Sequence, residues 1–78
     1  MNDDKVMSAD EIIEKHGETY LVCAAMHVYG GSFSKNLGEL IRVADSNNMQ
    51  KIKRTWPNEW AQYLRMHIII IQTQGRVL

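Results

Sequence analysis

Apolar positions along this chain recur with a helical period, and the breaks between runs fall at residues that stop or start helices. After a lead-in over residues 1–7, Ser8 and Glu11 form an S-x-x-E pattern. In that pattern each side chain satisfies the other's free backbone N–H at a helix start. Met7 and Ile12 stand where a hydrophobic staple would close, and Asp10 and Glu11 suit the positive end of the helix dipole. Gly17 is a natural stop, with Lys15 and His16 in the last turn. A second element begins at Glu18. From Tyr20 to Tyr29 only His27 is strongly polar, which fits a buried strand or a buried helix. Ala24, Ala25, Met26 and the helical neighbours favour a helix. An element apolar on nearly every side is expected to be surrounded, so it is placed at the centre of a bundle.

Gly30 and Gly31 break that helix, and Ser32 is the expected N-cap of a third. Phe33, Leu37, Leu40, Ile41 and Ala44 form its expected core stripe, with Lys35, Asn36, Glu39 and Arg42 on the other faces. Gly38 lies mid-helix, where it costs about 1 kcal/mol relative to alanine. Close approach of the Tyr20–Tyr29 helix would explain it. The run Asp45-Ser46-Asn47-Asn48 is a turn with an N-cap in Asp45 or Ser46. A fourth helix follows, with Met49, Ile52 and Trp56 on its apolar side and Lys51, Lys53 and Arg54 on its exposed side. Pro57 ends it and suits the first turn of a fifth. Trp60, Ala61, Leu64, Ile68 and Ile71 keep helical spacing, but Ile68 to Ile71 are four consecutive β-branched residues, which favour strands. Beyond Met66 the segment is therefore helix or strand, and it is expected to be packed, against a second chain as one option. The expected fold is all-α: a small bundle of four to five short helices, one domain over residues 8–71, with residues 72–78 as a tail.

Length and charge narrow the picture. A 78-residue domain buries only about 60–65% of its unfolded surface and is marginally stable. Cys23 is the only cysteine, so no disulfide reinforces the fold. Self-association is the remaining common route to stability, which makes a homo-oligomer a candidate state. Asp3 and Asp4 precede any apolar run, the wrong order for a secretory signal. No run approaches the roughly 18–20 apolar residues of a membrane span. The expected location is the cytoplasm, without membrane association. Residues 1–18 hold six acids and two bases, residues 35–78 seven bases and three acids, and the net charge is zero. The plain reading is attraction between the two ends; the sharper one is a basic side that faces a partner. Overall neutrality opposes strong general affinity for nucleic acid.

Few combinations of residues suggest chemistry. Cys23 and His27 share a helix face and could ligate zinc or form a nucleophile–base pair. A zinc site needs two further ligands, and His16 and His67 have no local ligand spacing, so a small thiol beside a core or edge histidine is the preferred reading. Asp10, Glu11, Glu14 and Glu18 read as dipole and solvation chemistry at a helix start, with no pocket to separate two carboxyl groups. Gly30-Gly31-Ser32 lacks either glycine-rich phosphate pattern and reads as a helix–helix turn. Lys51, Lys53 and Arg54 near Trp56 and Trp60 suit phosphate contact and base stacking, which supports a small nucleic-acid binder as the alternative function. No catalytic residue, metal ligand or cofactor is assigned, and the chain is not expected to be an enzyme. The candidate binding residues are Tyr29, Phe33, Lys51, Lys53, Arg54 and Trp60.

Several stretches between Asp10 and Trp60 occur together: E-I-I-E-K-H-G-E-T-Y-L, Y-G-G-S-F-S-K-N-L-G-E-L, R-V-A-D-S-N-N and T-W-P. In combination they resemble a group of very short, uncharacterised proteins of bacteriophages and prophages. These share a Y-G-G-S-F segment, a leucine-rich helix, an A-D-x-x-N turn and an aromatic–proline pair. The matching positions are Tyr29 to Phe33, then Ala44, Asp45 and Asn48, then Trp56 and Pro57. The likeness covers about two-thirds of the chain, and the segment from Met66 to Leu78 departs from it. It implies a viral protein in the host-cell cytoplasm that binds a host or phage protein, with inhibition of a host defence system as the most specific form. It implies no reaction.

Overall fold

A computed structural model describes residues 6–78. Positions 1–5 of the expected lead-in, with Asp3, Asp4 and Lys5, lie outside the described residues. Five helices follow in order: α1 (Ala9–His16), α2 (Glu18–Tyr29), α3 (Ser32–Val43), α4 (Ser46–Thr55) and α5 (Pro57–Gln74). No strand occurs among the described residues, and the fold is the small all-α bundle expected.

Local chemistry sets the boundaries. Ser8 Oγ accepts the Glu11 N–H at 3.2 Å, and Glu11 Oε1 accepts the Ser8 N–H at 2.8 Å, which closes the capping box of α1. Gly17 ends α1 at φ +88°, a backbone state that a side chain would strain. Asp45 Oδ1 accepts the Asn48 N–H at 2.8 Å and caps α4. Pro57 ends α4 and occupies the first turn of α5. Ser32 is not the N-cap of α3. Gly31 takes that position without a side-chain bond, and Ser32 is the first helical residue.

Two hydrophobic clusters hold the helices together. Val22, Ala25 and Met26 of α2 meet Leu37 and Ile41 of α3, Ile52 of α4, and Trp60 and Tyr63 of α5. A second cluster joins Ile12 of α1, Leu21 of α2 and Ile68 of α5, with Met7, Ile13, Leu64 and Ile71 against it. The staple residues Met7 and Ile12 thus meet in the same cluster. The isoleucine-rich segment is helical, because burial of Ile68 and Ile70 along α5 outweighs the β-preference of branched side chains. Helix α5 therefore continues past residue 71 to Gln74, and the left-handed Gly75 ends it at φ +69°.

The chain then turns back on itself. His67 is completely buried; its Nδ1 lies 2.8 Å from the Leu21 carbonyl, and its Nε2 accepts the Leu78 N–H at 3.0 Å. A carbonyl requires a donor and an N–H requires an acceptor, so both bonds together select the neutral ring with its proton on Nδ1. The Tyr20 hydroxyl donates to the Leu78 carbonyl and completes the latch.

Three expectations about burial fail. Helix α2 is not surrounded. It packs against α1, α3 and α5, while the side bearing Tyr20, Cys23, Ala24, His27 and Val28 stays partly or fully open. In the α3 stripe, Leu37, Gly38 and Ile41 face inward, whereas Phe33 and Leu40 remain outside. The close approach of α2 at Gly38 rotates the stripe: a Cβ there would lie 3.1 Å from Met26 Cβ and 3.4 Å from the Cys23 carbonyl. In α5, Ala61 is exposed, and the buried line runs Trp60, Tyr63, His67 and Ile70.

Candidate functional site

Helix α3 divides the surface into two open faces. On its outer side Phe33 is 55%, Leu40 48% and Val43 66% exposed. Seven residues separate Phe33 from Leu40 and three separate Leu40 from Val43, so the three share one helical face. Half-buried Trp56, at the end of α4, extends it: its ring lies 5.9 Å from that of Phe33 in an edge-to-face arrangement. Helix α4 itself contains no carboxylate, and its Lys51 and Arg54 are exposed. Exposed aliphatic and aromatic side chains in one row suit the hydrophobic core of a protein contact.

The six candidate residues separate into two groups. Tyr29 and Phe33 are exposed at the α2–α3 turn, and the Tyr29 hydroxyl accepts from Arg76 at 3.4 Å. Lys51 and Arg54 are solvent-facing on α4. Lys53 and Trp60 meet at Glu18. Trp60 is a core residue whose Nε1–H donates to Glu18 Oε2 at 2.6 Å. Lys53 Nζ sits 2.8 Å from the same oxygen and 5.5 Å from the centre of the Trp60 ring. The hydrogen bond from Lys53 holds the Glu18 carboxyl below the usual carboxylate range; burial opposes this, while the Trp60 bond and the Lys53 charge reinforce it. The sequence reading missed Val43, which lies outside the expected stripe, and counted Leu40 as core.

The opposite side of α3 forms a groove of about 590 Å³ with α2, floored by Cys23, Ala24, Gly38, Ile41 and Ala44. Cys23 Sγ–H donates to the Gly38 carbonyl at 3.2 Å, and burial pushes its thiol up, with Glu39 adding to the effect and Arg42 opposing it. A thiol held protonated is a poor nucleophile and a poor metal ligand. Its neighbour His27 is exposed, and among the described residues no three His, Cys, Asp or Glu side chains gather as a metal site. Arg42 and Glu39 pair at the rim at 2.8 Å, and the bond from Arg42, with its charge, holds the exposed Glu39 carboxyl below its ordinary range. No described helix is long and apolar enough to cross a membrane.

No family model, curated protein or solved structure matches the chain.

Proposed function

We propose that the protein is a non-enzymatic binding module that acts by occupying a surface of another protein. Its carrying observation is the outer face of α3, where Phe33, Leu40 and Val43 stand exposed in one row and Trp56 packs edge-to-face on Phe33. An amphipathic helix of the partner fits this surface: apolar residues every three or four positions against α3, and carboxylates toward Lys51 and Arg54. The bacteriophage resemblance suggests a host or phage protein as that partner in the host cytoplasm, and a component of a host defence system as its most specific form.

The test is differential capture from bacterial host lysate by the whole chain and by a Phe33→Glu, Leu40→Glu variant. Proteins held by the parent and released by the variant, at unchanged helical circular dichroism, are the expected result. Equal capture by both chains, or none by either at micromolar bait, overturns the reading. Nucleic-acid binding has less support, because Lys53 and Trp60 are engaged with Glu18 and leave Lys51 and Arg54 as the exposed cations of α4.

A further inference from the structure

The α2 sequence has the character of a helix covered on every side, yet one of its sides is open. After Glu18 it contains no Asp, Glu, Lys or Arg. Tyr20 and Val28 are 48% and 46% exposed. With half-buried Ala24 between them they form a ridge of residues four apart, large at both ends and small in the middle. Tyr20 and Ala24 of the ridge line one side of the α2–α3 groove, where small and apolar residues stand with Thr19, His27 and the Glu39–Arg42 pair.

We infer that a second copy of this chain covers that face, the ridge of each α2 lying in the groove of the other. The ridge matches itself. Two such helices crossing antiparallel at Ala24 bring the Tyr20 of each beside the Val28 of the other, which is the common packing of four-residue ridges. A twofold axis repeats both contacts and closes the assembly as a dimer.

Charge selects the same occupant. The ridge is uncharged, Glu39 and Arg42 at the rim neutralise each other, and the Lys35 ammonium donates to the His27 carbonyl at 2.7 Å. Lys35 stays exposed and does not line the groove, so the charges that a second uncharged ridge covers are those of the Glu39–Arg42 pair. Each 12-residue helix is about 18 Å long, and the hairpin is roughly 20 Å wide. Its projected area on the two copies together is about 700 Å², close to the ≈1,000 Å² limit for a specific contact once surface relief is counted. The dimer is therefore weak, and it lies on the side of α3 opposite the partner-binding face proposed above.

Sedimentation velocity of the whole chain from about 5 to 500 μM should show the mass rising from 9.0 kDa toward twice that value. Ala24→Arg should hold it at one chain throughout, while Leu40→Glu should leave the rise unchanged. In a Cys23→Ser background, Ala24→Cys should oxidise to a cross-linked dimer, because a residue at the twofold crossing meets its own copy, and Leu40→Cys should not. A chain that stays single to 500 μM overturns the inference. So does self-association that survives Ala24→Arg, or cross-linking as strong through Leu40→Cys. Loss of dimerisation alone leaves the partner-binding proposal intact, because that proposal is read through Phe33 and Leu40.

Discussion

Two adjacent glycines should respond very differently to the same substitution. Neither Gly30 nor Gly31 has a positive φ, so conformational strain does not distinguish them. Space does. A Cβ on Gly30 would lie 2.5 Å from the Met26 carbonyl oxygen and 2.6 Å from Ser34 Cβ, whereas a Cβ on Gly31 meets nothing within 4 Å. The atoms crowding Gly30 are backbone and the first side-chain carbon, and they cannot swing away like the end of a long side chain. Gly30→Ala must therefore open the α2–α3 turn or fray the last turn of α2, which is closed by the Gly30 N–H to Met26 carbonyl bond at 3.0 Å. Overpacking of this kind costs about 2–3 kcal/mol. At Gly31 the restricted unfolded chain contributes about 0.4–1 kcal/mol in favour of alanine. Loss of a tolerated cap residue opposes that gain, so the net is within about 0.5 kcal/mol of zero. For a chain of this size the first change lowers Tm by roughly 8–24 °C and the second shifts it by at most about 4 °C in either direction. Thermal denaturation followed at 222 nm measures both. Midpoints within 3 °C of each other would refute the crowding argument.

Three further outcomes follow from named contacts. The Glu18 carboxyl is depressed in the folded chain, so its contribution is present above the unfolded value and lost as pH falls through the folded one; Glu18→Gln should flatten part of the acid fall in the urea midpoint, and identical pH slopes would exclude the Lys53–Glu18–Trp60 cluster as a source. His67→Leu removes an acceptor from Leu78 N–H and a partner from the Leu21 carbonyl, which costs about 2 kcal/mol. The Leu78 amide should then exchange freely with solvent; retained protection would remove His67 from the latch. Single-stranded nucleic acid, if bound through Lys51 and Arg54, should show a log–log salt slope of about −1.4, and a steeper slope abolished by Lys53→Ala would show that the Lys53–Glu18 pair opens to bind.

What could be read from the sequence was local. The Ser8–Glu11 box, the stop at Gly17, the Asp45 cap and the Pro57 boundary each depend on residues within one turn, and each recurs in the structure. Even the Gly38 approach was legible, because a mid-helix glycine needs a reason. Side-chain orientation was not. The α3 pattern offers Phe33, Leu37, Leu40 and Ile41 as equals, and the α2 contact at Gly38 decides which of them turn inward. His67 was hidden for another reason. Polarity argues for exposure, but its two nitrogens are matched by a helix carbonyl and by an amide N–H from beyond Gly75, and no spacing rule foresees such a pairing. The contacts of Lys53 and Trp60 with Glu18, 35 positions before Lys53, do not enter a local reading.

That division between orientation and composition also separates binding from stability. Leu40 and Val43 make a largely solvent-facing row, so replacing either with a polar residue should move the isolated chain by no more than about 0.5 kcal/mol. A partner present at 100 times its Kd adds about 2.7 kcal/mol to the folded state. Against a total of roughly 4–12 kcal/mol for 78 residues, that is a large share. A Leu40→Glu chain that denatures normally when purified but is cleared faster than the parent in cells that hold the proposed partner has therefore lost that partner rather than its core. Gly30→Ala should fail in both settings, because the turn it disrupts holds α2 against α3 whether or not anything is bound.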